Sequence, residues 1–487
     1  MIDFEAVIGL EIHAQLLTSS KLFCACSTRF GASPNSNTCP VCLGLPGALP
    51  VVNREAVRMA VQVGVGLGCK INKSSIFSRK NYFYPDLPKG YQISQYDLPI
   101  AEGGHVEIPD WDQESKILTW KRYGINRAHL EDDAGKSVHS PEGDSYVDLN
   151  RTGIPLLEIV TEPDVRSAQE AYELLTSVHR RLLFLDVCDG NMEQGSLRCD
   201  ANVSIRSVGE TQLGTKTEIK NLNSFRFVRK AIEYEIHRQV TLVEEGGEVQ
   251  QETRLWDEDR QRTVLMRSKE YAHDYRYFPD PDLLPIIIED EWLSQISGEI
   301  PESPEAKQQR YIASGELTLE EAIQVTQSPD FSDYFEEAAE ITQAPKVVYN
   351  WMFGDLMRFL KQEKDSLREI PVRPTRLAEL IKLVQQGEIS GKIAKQVLRE
   401  MYLSGDSASK VLESKGLTQI SDEGELEQIV NSVLENNGMK VEEYRNGKEG
   451  LFGFFVGAVM RETQGRANPK LVNVLLVRKL QAYARND

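Results

Sequence analysis

Between Val7 and Gln15 the chain alternates apolar and polar positions, Val-Ile-Gly-Leu-Glu-Ile-His-Ala-Gln, and this period of two predicts a β-strand. Successive side chains then point to opposite faces, so Glu11, His13 and Gln15 share one face while Leu10, Ile12 and Ala14 pack behind them. A face carrying a carboxylate and an imidazole can begin a metal or general-base site; the plainer alternative is a strand whose polar side meets solvent. The same alternation returns from Leu197 to Arg206, where Leu197, Cys199, Ala201, Val203 and Ile205 interleave with Arg198, Asp200, Asn202, Ser204 and Arg206. Asp200 is a candidate ligand there, and Arg198 and Asn202 can orient it or bind a phosphate. In the apolar run from Leu156 to Val160, Glu158 needs a partner or a metal if its face is buried.

Helical rhythm replaces alternation elsewhere. Asn53 to Leu67 repeats Ala56, Val57, Ala60 and Val61 and stops in Gly64-Val-Gly66-Leu-Gly68, whose glycine spacing is not that of a dinucleotide fingerprint. Ser167-Ala-Gln-Glu170 is a capping box opening a helix with the stripe Ala171, Leu174, Leu175, Val178, Leu182 and Leu185. Asn223 or Ser224 caps another, carrying Phe225, Val228, Ile232 and Ile236. Arg79 to Gln92 contains two prolines and predicts a loop, in which Arg79, Lys80 and Lys89 can meet phosphates while Tyr82, Phe83 or Tyr84 stack on a base or serve as packing anchors. After about residue 290, and a linker at Pro301-Glu-Ser-Pro304, nearly everything has helical period: 375–384, 392–401, 425–435, 451–463 and 469–482.

Composition narrows the function. A chain of 487 residues exceeds what one core supports and predicts two to four domains, and 40% hydrophobic with 27% charged residues is ordinary for a folded protein. No apolar run approaches a membrane span, and the start Met1-Ile2-Asp3-Phe4-Glu5 lacks a signal peptide, which places the chain in the cytoplasm, or in an organelle after loss of a transit peptide. A net charge of -18 opposes nucleic-acid binding over the whole surface, so any RNA contact is regional. The best region is 453–480, where Arg461, Arg466, Lys470, Arg478 and Lys479 face Glu462 alone.

Seven cysteines are too few for a disulfide scaffold at this length, and four of them cluster. Cys24 and Cys26, then Cys39 and Cys42, form two close pairs able to fold four thiolates around one tetrahedral zinc; buried unliganded thiols are the alternative. Cys69, Cys188 and Cys199 read as small core residues. At His129-Leu-Glu-Asp-Asp-Ala-Gly-Lys-Ser137, the carboxylates Glu131, Asp132 and Asp133 repel one another unless solvated or bound to a cation, and hard oxygen ligands suit magnesium. The Gly135-Lys-Ser137 tail is no phosphate loop, because the earlier glycine that pattern needs is Leu130.

Six long motifs follow one another: Val7-Ile-Gly-Leu-Glu-Ile-His13, Arg79-Lys-Asn-Tyr-Phe-Tyr-Pro-Asp86, Tyr91-Gln-Ile-Ser-Gln95, His129-Leu-Glu-Asp-Asp-Ala-Gly-Lys136, Gly195-Ser-Leu-Arg-Cys-Asp-Ala-Asn202 and Lys220-Asn-Leu-Asn-Ser-Phe225. Together they resemble the B subunits of glutamyl/aspartyl-tRNA amidotransferases, over essentially the whole chain. The resemblance implies an α+β protein: a cradle domain with an antiparallel sheet and flanking helices at 1–292, a helical domain at 293–405, and a YqeY-like, tRNA-binding tail at 406–487. It implies ATP-dependent phosphorylation of the side-chain carboxylate of Glu or Asp misacylated onto a glutamine or asparagine tRNA, then amidation by ammonia. It implies magnesium on Glu11, His13, the Glu131/Asp132 pair, Glu158 and Asp200, with Lys80, Asn81 and Lys89 toward ATP or the reactive carboxylate, Tyr82, Arg198 and Asn202 in the nucleotide's surroundings, and structural zinc on Cys24, Cys26, Cys39 and Cys42. The implied partners are an amidase-type A subunit that supplies ammonia from glutamine, a small C subunit, the misacylated tRNA and the nondiscriminating aminoacyl-tRNA synthetase that charges it. The competing expectation is a noncatalytic tRNA-binding scaffold whose acidic cluster is a structural cation site.

Overall fold

The computed structural model describes residues 3–112, 114–140, 143–268, 275–363, 366–416, 422–463 and 466–483; Met1, Ile2 and the last four residues of the expected tail lie outside this set. Two compact units divide the chain, 1–306 and 307–487.

The first unit is α+β, built on a nine-stranded sheet. In chain order its strands are β1 (Phe4–Gln15), β2 (Lys70–Ile71), β3 (Ala101–Trp111), β4 (Leu118–Asp132), β5 (Pro155–Thr161), β6 (Leu197–Ser207), β7 (Thr217–Leu222), β8 (Glu252–Asp257) and β9 (Arg262–Ser268). Across the sheet they run β9-β8-β7-β6-β1-β5-β4-β3-β2, antiparallel at every pairing except β7 with β8. β1 lies at its centre because its alternation gives it an apolar face to bury: Ile8, Leu10, Ile12 and Ala14 are all but inaccessible.

That face joins one core with three helices, α1 (Arg54–Gly66), α2 (Ala168–Phe184) and α3 (Phe225–Glu244), through Ala60 and Val61, Leu174 and Val178, and Val228 and Ile232. Burial of each such large side chain is worth about 1.5–3 kcal/mol. The caps follow the sequence. Asn53 accepts from Glu55 and Ala56, and Ser224, not Asn223, accepts from Phe227 N–H. The box at Ser167 is half formed: Ser167 accepts from Glu170 N–H, while the Glu170 carboxylate accepts from Arg166 N–H and pairs with Lys121 instead of turning back to Ser167.

The stretch from Arg79 to Gln92, expected as a loop, differs. Pro85 and Pro88 interrupt only its middle; its ends are strands Ser78–Asn81 and Tyr91–Ser94, which pair with each other and form a small sheet with Phe278–Pro279.

The second unit is helical and contains two separate apolar clusters among its described residues, one from Tyr311 to Leu412 and one from Leu426 to Leu480. Its helices include Pro374–Gln386, Gly391–Ser404, Glu423–Glu435, Phe452–Glu462 and Pro469–Tyr483, within a few residues of the segments the periodicity indicates. No helix among the described residues is long and apolar enough to cross a membrane.

Candidate active site

The sheet register assembles the polar face. His13 on β1 lies opposite Glu158 on β5 and Arg198 on β6, Glu158 lies opposite His129 on β4, and Glu11 lies opposite Asp200. Directly opposed side chains project from the same side of a sheet, so four strands contribute one row of imidazoles and carboxylates. Two clusters of donor atoms result, Glu11 with His13 and Asp200, and His13 with Glu131 and Glu158, each with all its atoms within 4.8 Å of one another. Such sets of hard oxygens and one imidazole nitrogen fit a magnesium ion, and His13 belongs to both.

Glu158 Oε2 lies 3.4 Å from His13 Nε2 and 3.5 Å from His129 Nε2. Burial alone would lower the His13 pKa, but its hydrogen bond to Glu158 and the charges of Glu158, Glu11 and Glu131 lift it to about 9. Burial keeps His129 down at about 4, so His13 is much the more basic of the two imidazoles, and a cation held by its Nε2 would have to displace a proton. Against burial, these imidazoles hold Glu158 well below the ordinary carboxylate range. Burial and the adjacent Glu158 charge push Glu131 up to about 7, and the same causes raise Glu11. A cluster that strains to keep its carboxylates charged gains from a bound cation.

Lys80 projects toward this row from the small sheet. Although burial opposes its charge, the Glu131 carboxylate, with Tyr277 and Glu158, keeps the ammonium protonated beyond the usual lysine range, and its Nζ lies 5.1 Å from the centre of the Tyr275 ring. Half-buried Tyr82 stands edge-on to Tyr275 and donates from its hydroxyl to Gln92 Oε1 at 3.4 Å. The exposed rings of this stretch are Phe83 and Tyr84.

Several expected site residues do other work. Asp132 lies one residue out of step with His129 and Glu131, so it leaves the row: its carboxylate pairs with Lys89 and accepts from Ile93 N–H at 2.7 Å. Expected as a magnesium ligand, it is instead fully buried on the other side, and Lys89 is committed to it. The Asn81 amide donates to the carbonyls of Tyr275 and Arg276, pinning backbone. Arg79 pairs with Asp280 and Asp282. Asp200 is held by Lys220, not by Arg198. Arg198 reaches Asp133 at 2.9 Å, where Gln15 also donates at 2.8 Å. Asn202 shares the face of Asp200, opposite Gly9.

His129 and Lys220 are additions to the sequence-derived set, while Asp133, one of the three consecutive carboxylates noted there, is taken up by Gln15 and Arg198. His129 was open to discovery by counting in steps of two from Glu131; Lys220 carries no comparable signal.

The four cysteines converge as their spacing suggests, with all sulfurs within 4.8 Å of one another and Cys39 and Cys42 Sγ 3.9 Å apart. Sulfurs at the corners of a tetrahedron with bonds of about 2.3 Å stand about 3.8 Å apart, so the set fits zinc. Donation from the Cys24 thiol pulls Cys42 down to about 4, and burial pushes Cys26 up to about 11. A pocket of about 110 Å³ separates this knuckle from the Lys89–Asp132 pair.

A polar face able to hold cations beside a lysine, without a phosphate loop among the described residues, defines a class of protein in which side chains do the work of handling charged groups. A family model described as the GatB/GatE catalytic domain matches residues 6–294, and one described as the GatB domain matches residues 333–480. The B subunit of the aspartyl/glutamyl-tRNA(Asn/Gln) amidotransferase of Geotalea daltonii is 54% identical over 98% of this chain and 100% of its own length. Those of Thermodesulfovibrio yellowstonii and Geobacter sulfurreducens are 52% and 51% identical, each over 98% of this chain and 100% of their own length. The chain therefore belongs to the family of amidotransferase B subunits.

Proposed function

We propose that the cradle activates the side-chain carboxylate of Glu or Asp misacylated onto a glutamine or asparagine tRNA, using ATP, and converts it to the amide with ammonia. A free carboxylate is a poor acyl donor because hydroxide is a bad leaving group. One carboxylate oxygen attacks the γ-phosphorus and ADP departs; ammonia then attacks the acyl carbon, inorganic phosphate leaves, and the proton shed by the nitrogen passes to that phosphate. The observation that carries this reading is the convergence of His13, Glu131 and Glu158 within 4.8 Å beside the Lys80 ammonium. Phosphoryl transfer asks chiefly for positioning and charge stabilisation, which such a face supplies.

Glu11, His13, Glu131, Glu158 and Asp200 would hold magnesium, which when bound neutralises phosphate oxygens. Lys80 offers a fixed positive charge to the transferring phosphoryl group. His129 holds Glu158 in place, and Asp133 orients Arg198 toward the anionic end of the substrate. Asp132, Lys89 and Asn81 act through the scaffold, and the four-cysteine zinc is structural. An amidase-type A subunit supplies ammonia, a small C subunit completes the heterotrimer, and the synthetase that misacylates the tRNA delivers it.

Glu158→Ala tests the reading in the assembled complex. We expect loss of amide formation with either glutamine or free ammonia as donor, by about a hundredfold or more, while glutaminase activity persists. Amidation at the original rate would leave the chain as a tRNA-binding scaffold with a structural cation site.

A further inference from the structure

Lys21 takes no part in the chemistry above, yet it is a fully buried lysine. A buried ammonium persists only where acceptors and negative charge compensate it. Its Nζ has three partners: the carbonyl of Asn37 at 2.8 Å, the carbonyl of Leu149 at 3.3 Å and Cys42 Sγ at 3.6 Å. None of these is a carboxylate. Asn37 lies on the connector between the two cysteine pairs, and Lys21 N–H also donates to Cys26 O at 3.0 Å. Leu149 opens the turn that leads into β5. Lys21 thus touches the knuckle on both sides of the four sulfurs and the turn behind it.

Four thiolates around one divalent cation leave two net negative charges in a shielded place, and an N–H donor aimed at one sulfur spreads that charge. Resting on the zinc reading of the cysteine cluster, we propose that Lys21 is a charge-compensating donor to Cys42 Sγ, which retains the metal and fastens the knuckle to the 149–153 turn. The turn carries the effect toward the polar face: Leu22 N–H donates to Gly153 O and Gly153 N–H donates to Asp133 O, both at 2.8 Å, and Asp133 is the residue that holds Gln15 and Arg198.

The test uses the full chain. Metal content is measured first, since a wild-type chain that takes up no zinc overturns the centre itself and this role with it. With zinc present, Lys21→Met is expected to release it to a chromophoric chelator about tenfold faster or more. The same variant loaded with cobalt is expected to shift its sulfur-to-metal charge-transfer band to lower energy, because a sulfur without its donor gives up charge more readily. Unchanged release and an unmoved band would overturn the proposal, and a band that stays in place while release quickens would mean that Lys21 only packs. A second measurement needs no variant. Acylation of wild-type lysines, read by peptide mass spectrometry before and after zinc removal, is expected to show Lys21 becoming reactive as the metal leaves; equal labelling in both states would overturn the fastening role.

Discussion

Glu158 stands between two imidazoles of very different basicity, His13 raised to about 9 and His129 lowered to about 4. The asymmetry follows from position: His13 also faces Glu11 and Glu131, while His129 faces Arg127, Lys80 and His13. Asp132 shows the opposite case, a carboxylate settled by one dedicated partner. Lys89→Met therefore leaves a fully buried charge without its counterion and is expected to lower stability by about 3–5 kcal/mol in urea denaturation. Adding Asp132→Asn is expected to restore part of that loss; a double variant no better than the single would deny the pairing. At this scale the sequence displays the residue types but not their partners. Glu131 and Asp132 are adjacent carboxylates on paper, and only the pleat of β4 sends one to the cation cluster and the other to Lys89. The commitment of Asn81 to two backbone carbonyls arises from residues nearly 200 positions away, which no local pattern records.

At the scale of elements, β1 is the clearest case of sequence writing structure. Its alternation specifies both faces at once, because a slip by one residue would bury Glu11 and His13 among helices and expose Leu10 and Ile12. Ile12→Ala is accordingly expected to lower stability by about 2–5 kcal/mol, measured by thermal or urea unfolding, since the side chain is fully buried and its neighbours close around it. The caps of α2 and α3 are smaller effects of the same kind. Ser167→Ala and Ser224→Ala are each expected to lower stability by about 1 kcal/mol by leaving one helix N–H without its acceptor. Local chemistry makes such features legible. The strands at Ser78–Asn81 and Tyr91–Ser94 escaped because two prolines between them dominate the local signal, and because their pairing with each other and with Phe278–Pro279 is a tertiary matter.

On the reading proposed above, chemistry falls to one unit and tRNA recognition to the other. The first unit holds the cation face and the cysteine knuckle, and the second is helical and carries the locally basic stretch expected from composition to meet tRNA. That stretch is less free than its composition implies: Arg478 and Lys479 are held by Glu423 and Glu427. Deleting residues from 406 onward is expected to weaken tRNA binding, measured by filter retention or anisotropy, while ATP binding persists; undiminished tRNA affinity would remove the tail from recognition.

On the proposed route an acyl phosphate forms on the cradle. The most direct measurement places oxygen-18 in the side-chain carboxylate of Glu-tRNA, runs the amidation with ATP and the assembled complex, and follows the label by mass spectrometry. Activation through an acyl phosphate predicts one oxygen-18 atom in each inorganic phosphate released as Gln-tRNA appears. Amide formed while the phosphate stays unlabelled would mean that no acyl phosphate lies on the route.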